Sequence, residues 1–335
     1  MQDWVLFVPG FAASHLFRLD TGGDRMVKIW LSQTDIAWNG IGQLDTDADI
    51  SPTDLEHVRP GGPLMEVYQP FYAHLAMKGI PVANFGYDWR ADVATNGQRL
   101  ADYLLRDSTP NTRWTIITHS AGGLVAASAI NRLAASIVPK VAALITCATP
   151  WHGSYRSMEM MAGAHETIEE IVNLNRVFSR RSKNEWLMQT VRVVAGWPGL
   201  YDLMPMPELM LKYPPAPGQD FISDGVFEKV NPWFSLAKYN QAVARRPIHA
   251  EFPPSIVHHN FRGIGRPTPG PSPTMYNGYP DHWPVALLGD TTVPEFSSLA
   301  PAVFNATDRQ FDADHEQFMN DWRVMGAINA VMGIA

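Results

Sequence analysis

Cysteine is almost absent from this chain, since Cys147 is the only one among 335 residues. No internal disulfide can form, so the fold must be stabilised by its hydrophobic core. Nowhere do about 18 apolar residues follow one another, so no transmembrane segment is predicted. The strand-like run Trp4–Val8 follows almost directly on the first residue, without a secretory signal pattern. We therefore expect a cytoplasmic protein if the sequence is full length, and a secreted one if a signal was removed.

Charged residues are also scarce, at 18% of the chain, and the net charge is -7. The basic residues are scattered, and the patch at Arg180–Lys183 is too short to indicate a nucleic-acid interface. Hydrophobic residues make up 46% of the chain, which is enough for a sizeable core. The composition predicts a globular protein with no nucleic-acid partner.

The stretch Trp114–Ile130 has the pattern of a buried strand, a sharp turn and a buried helix. Ser120 lies at the corner, where a serine is held in a strained backbone conformation with its hydroxyl exposed. The residues two positions away must then be small, and Gly122 meets that demand. The usual spacing is Gly-x-Ser-x-Gly, whereas Thr118 occupies the first small position here. The alternative is an ordinary strand-to-helix turn that contains a serine.

Strand-like and helix-like segments alternate on both sides of this turn, which predicts an α/β fold. We expect a mostly parallel central sheet flanked by helices, with ligands at the carboxyl ends of the strands. The strand pattern stops at about Tyr155 and the composition shifts toward Met, aromatic residues and Pro. The predicted organisation is a core over 1–154, a mainly helical cap or lid inserted at 155–250, and a second core part over 251–335. Residues 20–64 show little periodicity and are predicted to be irregular.

An oxyanion hole can be placed beside the predicted nucleophile. The first apolar strand breaks at Pro9–Gly10, and the loop after such a strand supplies one backbone N–H to the oxyanion. The residue after the nucleophile supplies the other. These donors are predicted to be Phe11 and Ala121, with a plain Pro-Gly turn as the alternative for the first.

A general base and its acid partner follow late in the chain. An apolar strand ends at Gly289, and Asp290 in the following tight loop is suited to orient an imidazole. His315 precedes a terminal amphipathic helix that we expect to be marked by Phe318, Trp322, Met325 and Ile328. The order Ser120, Asp290, His315 is that of α/β-hydrolases.

Other titratable residues receive different assignments. Asp312 and Asp314 compete with Asp290 as the acid, but they lie too close to His315 in sequence to approach its ring from behind. Four further histidines are predicted to be structural, to line the pocket or to lie on a strand: His119, His152, His258 and His259. No metal site and no cofactor are predicted, because this chemistry needs neither and no Cys or Asp/Glu/His partners accompany the histidine pair.

Six motifs follow one another along the chain, and together they resemble the lecithin:cholesterol acyltransferase-like α/β-hydrolases. The motifs are Val-Pro-Gly-Phe at 8–11, Gly-Tyr-Asp-Trp-Arg at 86–90, Thr-His-Ser-Ala-Gly-Gly at 118–123, Ala-Thr-Pro-Trp-His-Gly-Ser at 148–154, Leu-Tyr-Asp-Leu-Met-Pro at 200–205 and Gly-Asp-Thr-Thr-Val-Pro at 289–294. The chain departs from the family at Thr118 and Thr291, where Gly is usual, and in lacking the cysteines of the secreted animal members.

The resemblance implies a Ser-Asp-His enzyme that acts on acyl esters, often lipids, and passes the acyl group to water or to an alcohol. The expected partner is a small-molecule or lipid ester, and transient contact with a membrane surface stays open. Substrate contact is assigned to Trp89, Trp151 and Met204, which lie within the motifs, and Asp88 and Arg90 are expected to form an ion pair. Hydrolysis is favoured over acyl transfer because no second substrate site is evident. The alternative from another class is a hydrolase fold without activity that serves as a binding module.

Overall fold

The computed structural model describes most of the chain, and the elements below are those of the described residues. The strands are, in chain order, β1 (Gln2–Val8), β2 (Ser14–Leu19), β3 (Met26–Trp30), β4 (Val58–Pro63), β5 (Val82–Asn84), β6 (Thr112–His119), β7 (Val141–Cys147), β8 (Val257–Gly263), β9 (Arg266–Pro269), β10 (Thr274–Tyr276), β11 (Tyr279–His282), β12 (Val285–Gly289) and β13 (Thr307–Phe311). The described residues are 2–19, 25–30, 41–46, 58–176, 181–215, 222, 225, 227, 231–249, 251–276 and 279–334.

The helices are, in the same order, α1 (Met65–Met77), α2 (Val93–Asp107), α3 (Ala121–Ile130), α4 (Tyr155–Ala162), α5 (Glu166–Arg176), α6 (Lys183–Ala195), α7 (Pro198–Tyr201), α8 (Pro207–Lys212), α9 (Leu236–Arg245) and α10 (Trp322–Met332). Short 3₁₀ helices lie at Ile41–Leu44, Val138–Lys140, Ala302–Phe304 and Phe318–Asn320. Helices α4 to α9 all lie between β7 and β8, so the helical insertion predicted from the composition is present.

Six strands form the central sheet, in the spatial order β13-β8-β7-β6-β1-β5. Every neighbouring pair in this sheet is parallel. Parallel strands require crossover connections, and the helices that make them cover the sheet on both sides. The predicted fold class, a parallel sheet flanked by helices with a helical insertion, is confirmed.

The side chains of β1 alternate between two separate hydrophobic clusters, as the two-residue period of a strand requires. Leu6 and Val8 pack in the cluster that contains residues of α2 and α3, whereas Val5 and Phe7 pack with residues of α1 and α10. All four are fully buried. The sheet is therefore a wall between two cores, and its strands end at an edge where loops from both sides meet.

The segment 20–64 differs from its prediction in the part that is described. Strands β3, β2 and β4 form an antiparallel sheet in that spatial order, although this segment was predicted to be irregular. The strands are short and interrupted by register shifts and by Gly61–Gly62, so no alternating pattern marks them in the sequence. Residues 20–24, 31–40 and 47–57 lie outside the described residues.

The terminal helix also begins later than predicted. Phe318 lies in a 3₁₀ turn before α10, and the side chain of Trp322 is 77% exposed, so neither marks the buried face of that helix. Asp321 caps the helix by accepting a hydrogen bond from the Arg323 N–H at 2.8 Å, which sets its first residue at Trp322. No helix in the described part of the chain is long and apolar enough to cross a bilayer.

Candidate active site

Ser120 lies in the turn between β6 and α3 with φ 53° and ψ -128°. This conformation is rare for a residue other than glycine and confirms the strained backbone expected there. The Ser120 N–H donates to the Cys147 carbonyl at 2.8 Å, which ties the turn to the next strand. A Cβ on Gly122 would lie 2.4 Å from the Val8 carbonyl oxygen. Only glycine fits at that position, because the end of β1 passes directly against the helix.

Thr118 occupies the position where glycine is usual, and the structure accommodates it within β6. It pairs with Val8 on one side and Thr146 on the other, and it is fully buried. Its hydroxyl has no hydrogen-bond partner among the described residues. The threonine is therefore tolerated sterically, but its buried hydroxyl carries a desolvation cost of about 1–3 kcal/mol.

The three residues predicted as nucleophile, base and acid lie in one hydrogen-bonded row. His315 Nε2 is 2.9 Å from Ser120 Oγ, and His315 Nδ1 is 2.8 Å from Asp290 Oδ2. Because a carboxylate only accepts, Nδ1 carries the proton and Nε2 is free to accept the proton of Ser120. All three residues are buried, with exposed fractions between 0% and 8%.

Asp290 is held firmly by the loop that follows β12. Its Oδ1 accepts from the N–H groups of Thr292 at 3.1 Å and Val293 at 2.6 Å, which leaves Oδ2 for His315. The Asp290 carbonyl accepts from the His315 N–H at 2.7 Å. Thr291, at the second position where glycine is usual, has φ 82°, so this loop keeps the left-handed conformation that glycine would adopt without strain.

The charge environment of His315 favours its protonated form. Burial is the largest single influence and lowers its pKa, but the charge and hydrogen bond of Asp290 raise it, and Asp314 and Glu316 add to that effect. The pKa of His315 therefore lies above its ordinary value of 6.5. Neither Asp314 nor Asp312 takes the place of Asp290, because Asp314 accepts from the Glu316 N–H and Asp312 pairs with Arg266 at 2.7 Å.

The predicted oxyanion donors border the same serine. Ala121 is the first residue of α3, and within the described part of the chain neither its N–H nor that of Phe11 has a hydrogen-bond partner. A Cβ on Gly10 would lie 3.1 Å from Ser120 Cβ, so the loop that carries Phe11 is in contact with the turn. Two unpaired N–H donors therefore lie in the two segments that meet at Ser120, which is compatible with an oxyanion hole.

A cavity of about 530 Å³ opens over Ser120 and His315. Its volume lies within the range of small-molecule sites. One part of its lining is apolar and another part is polar or charged. The apolar residues include Phe11, Trp30, Leu64, Val67, Met160, Leu200, Leu203 and Val293, and the polar ones include Glu66, Ser154, Arg156, His165, Thr167, Glu170 and Glu316.

Trp89, Trp151 and Met204, which were predicted to contact substrate, do not line this cavity. Each is at most 1% exposed and packs in the hydrophobic cluster that contains residues of α2 and α3. Trp89 donates its indole N–H to the Ser14 carbonyl at 3.2 Å and packs against Phe11 from behind. Trp151 donates to the Asn260 side chain at 3.1 Å.

The lining residues that sequence reasoning missed come mainly from segments without a catalytic motif. Trp30 lies in the segment predicted to be irregular, whereas Arg156 and His165 lie in the helical insertion. For Met160 the sequence does offer a signal, because it is one of the methionines toward which the composition of the insertion shifts, and methionine side chains suit an apolar site. Leu200 and Leu203 lie in the motif at 200–205, where Met204 was chosen instead.

The other histidines have distinct places. His119 borders the cavity, whereas His152 stacks on Phe296 outside the described lining. His258 lies on β8 with its Nε2 2.9 Å from the Thr146 hydroxyl, and His259 follows it on the same strand. Across the described ranges, no group of three His, Cys, Asp or Glu side chains could hold a metal ion.

The sequence family described as "Putative serine esterase (DUF676)" matches residues 81–177, which contain Ser120. No curated protein matches the chain. Among solved structures, the Tle4-Tli4 complex is similar with a TM-score of 0.62 and 15% identity, covering 99% of this chain and 98% of the other.

Lower similarity is found to two Bacillus enzymes. The mature lipase BlEst2 of Bacillus licheniformis has a TM-score of 0.45 and 13% identity, over 100% of this chain and 93% of the lipase. The carboxylesterase CesB (YbfK) of Bacillus subtilis has a TM-score of 0.39 and 8% identity, over 99% and 84%. The parallel sheet with its flanking helices and the similarity to the Tle4-Tli4 complex show the α/β-hydrolase fold. The match of residues 81–177 to the serine esterase family supports a serine ester hydrolase.

Proposed function

We propose that this chain is a serine hydrolase that cleaves carboxylic esters with lipid-like acyl groups through an acyl-enzyme. The observation that carries the proposal is the row from Asp290 through His315 to Ser120, with distances of 2.8 and 2.9 Å, at the floor of a cavity. Two polar contacts of this length in series are what an activated serine needs.

In the proposed reaction, Ser120 Oγ attacks the ester carbonyl and its proton passes to His315 Nε2. The negative charge on the carbonyl oxygen is stabilised by the N–H groups of Phe11 and Ala121, and one such donor is worth about a hundredfold to a thousandfold in rate. His315 returns the proton to the departing alcohol, which leaves an acyl-enzyme. Water then attacks the acyl-enzyme ester while His315 Nε2 takes its proton. His315 passes this proton to Ser120 Oγ as the serine leaves, and the carboxylic acid is released.

The apolar part of the cavity favours an ester with a long acyl chain over an ester of a short acid. Trp30, Met160, Leu200 and Leu203 line it together with Phe11. Each methylene that leaves water there contributes about 0.8 kcal/mol. We expect kcat/KM to rise with acyl length until the apolar wall is filled.

The helical insertion is proposed to act as a cap over this cavity, in keeping with the division into 1–154, 155–250 and 251–335. Met160 of α4 and Glu170 of α5 line the cavity together with Phe11 and Tyr68 of the core. Asp202, next to α7, accepts from the Val93 N–H of the core at 2.7 Å and from Arg245 of α9 at 2.8 Å. The first of these contacts attaches the insertion to helix α2 of the core, and the second joins two parts of the insertion.

The test is turnover of p-nitrophenyl esters of increasing acyl length, together with labelling by a fluorophosphonate probe. Ser120→Ala is expected to lose labelling and to lower kcat by at least about a thousandfold. Ser128→Ala is the control, because it removes another buried hydroxyl nearby in the sequence, from the helix α3 that follows Ser120. Equal labelling of the wild type and Ser120→Ala would overturn the proposal.

Acyl transfer is separated from hydrolysis by adding a long-chain alcohol to the same assay. The products are the free acid if water takes the acyl group and a new ester if the alcohol does. We expect the free acid to dominate. Dominant transfer would replace hydrolysis by acyltransferase activity, and a wild type that neither turns over nor labels would favour a binding module.

A further inference from the structure

A second histidine, His119, is buried beside the proposed triad, and the reaction described above makes no use of it. Its Nε2 is 3.0 Å from the His315 carbonyl oxygen, and its Nδ1 is 3.0 Å from the Tyr68 hydroxyl. The centres of the His119 and His315 rings are 5.0 Å apart. His119 is only 5% exposed, so these two contacts are its polar environment.

The direction of each hydrogen bond follows from the groups involved. The His315 carbonyl can only accept, so His119 Nε2 carries a proton. Burial, followed by the charge of His315, lowers the pKa of His119 to about 3, so the ring is neutral and Nδ1 accepts from the Tyr68 hydroxyl. The Tyr68 oxygen in turn accepts from the Gly10 N–H at 3.0 Å. Burial raises the pKa of Tyr68, which keeps its hydroxyl protonated.

These bonds join the three parts of the site that must keep a fixed geometry. Gly10 directly precedes Phe11, the proposed oxyanion donor, and His119 directly precedes Ser120. The series of hydrogen bonds ends at the His315 carbonyl. The N–H of the same residue donates to the Asp290 carbonyl at 2.7 Å. The parts are also in contact, since a Cβ on Gly10 would lie 3.3 Å from His119 Nδ1.

We propose that Tyr68 and His119 are positioning residues, which hold the oxyanion loop at Gly10–Phe11 and the base His315 in register with Ser120. This proposal rests on the proposed function. An oxyanion donor acts only within about 2.7–3.1 Å of the developing charge. A displacement of about 1 Å can cost about a hundredfold in rate. Loss of the single buried hydrogen bond from the Gly10 N–H to Tyr68 is enough to allow the loop such a displacement.

The first test is Tyr68→Phe, which removes the hydroxyl and keeps the ring against Phe7. We expect kcat to fall about tenfold with KM nearly unchanged, because the loop is needed by the transition state and not by the bound ester. The matched control is Tyr72→Phe, one turn further along α1, where the hydroxyl donates to the Asn84 side chain away from the cavity. It should leave kcat unchanged.

Two substitutions of His119 separate its two bonds. Asn can present an amide oxygen near the position of Nδ1, so His119→Asn keeps an acceptor for Tyr68. Gln can present an amide N–H near the position of Nε2, so His119→Gln keeps a donor to His315. Adding Tyr68→Phe should therefore lower kcat further in the Asn background and have little further effect in the Gln background.

The outcomes distinguish this proposal from the proposed function. A wild type that turns over esters, with Tyr68→Phe and Tyr72→Phe alike in kcat, overturns the positioning role alone. Equal losses of thermal stability in the two tyrosine variants, with kcat intact, would likewise mean that the network serves only the fold. A wild type without turnover or fluorophosphonate labelling overturns both, since there is then no reaction whose groups need positioning.

Discussion

Positive backbone φ angles occur at both loops that hold the proposed nucleophile and acid. Ser120 has φ 53° and Thr291 has φ 82°, and neither is glycine. Each such conformation costs about 1–3 kcal/mol and persists only where the surroundings enforce it. Contacts across the turn do so here: the Ser120 N–H binds the Cys147 carbonyl, and the Thr291 N–H binds the Thr268 hydroxyl at 3.1 Å.

The raised pKa of His315 predicts how activity depends on pH. A general base must be neutral, so kcat/KM should fall as the pH drops through that pKa, with an acid limb above pH 6.5. Glu316→Gln removes one of the charges that raise the pKa, so the limb should move to lower pH. The measurement is the pH profile of kcat/KM.

The control for this shift is Asp102→Asn, which makes the same charge change on the exposed side of α2. It should leave the acid limb in place. Two results would contradict the assignment of His315 as the base. One is an acid limb that Glu316→Gln moves to higher pH. The other is an acid limb that Asp102→Asn moves and Glu316→Gln does not.

At the scale of elements, the loop after β5 is organised by the predicted ion pair of Asp88 and Arg90, which is confirmed. Both Asp88 oxygens contact the guanidinium, at 2.9 and 2.6 Å, and neither residue is more than 4% exposed. The Asp88 carbonyl also accepts from the Asn96 side chain, which joins the loop to α2. This loop carries Trp89, and that side chain supports the cavity wall from behind.

Breaking this pair should destabilise the fold strongly. Asp88→Ala leaves a buried guanidinium without its carboxylate, and we expect the free energy of unfolding to fall by about 3–5 kcal/mol. The comparison is Asp107→Ala, which breaks the exposed pair with Arg106 and should leave the free energy of unfolding nearly unchanged, because water screens that pair. Urea denaturation of the two variants measures both values, and similar losses would show that burial of the pair does not matter.

The strand before Asp290 illustrates what an apolar run alone leaves open. β12 pairs antiparallel with β9 outside the central sheet, and Val285 and Leu288 are 60% and 56% exposed. An apolar run of this length is equally compatible with a buried sheet strand and with such a small hairpin. The pairing partner decides between these two structures, and the partner β9 is separated from β12 by the Pro/Gly-rich segment of residues 270–284.

At the scale of the whole molecule, the net charge of -7 is reinforced around the cavity. Glu66, Glu170 and Glu316 are exposed carboxylates in its lining. Arg156 is the only lysine or arginine in the described lining, and it already pairs with Glu159 at 2.8 Å. The resulting negative potential should repel anionic substrates as they approach.

We therefore expect a neutral ester to be turned over about tenfold faster, in kcat/KM at low salt, than a matched ester that carries one negative charge. Added salt should raise kcat/KM for the anionic ester and leave the neutral one nearly unchanged, because screening removes the repulsion. Glu170→Gln should reduce the difference in kcat/KM between the neutral and the anionic ester, because it removes one of the negative charges in the lining. An anionic ester that is preferred at low salt would contradict this view of the cavity.

Local rules in the sequence were sufficient for the features that depend on neighbouring residues. The strained turn at Ser120, the need for Gly122, the parallel sheet and the Asp88–Arg90 pair all follow from sterics, strand and helix periods, and short-range charge. The same rules selected Asp290 and His315 from the ends of two segments, and the fold brings them within hydrogen-bond distance of each other.

Features that depend on which distant surfaces meet required the folded chain. Trp89, Trp151 and Met204 are large apolar side chains, and the hydrophobic effect buries such groups equally well in a core or in a cavity wall. Which of the two occurs depends on packing between elements far apart in sequence. The bonds from Gly10 through Tyr68 and His119 to His315 have the same origin, because they span 58, 51 and 196 residues of chain.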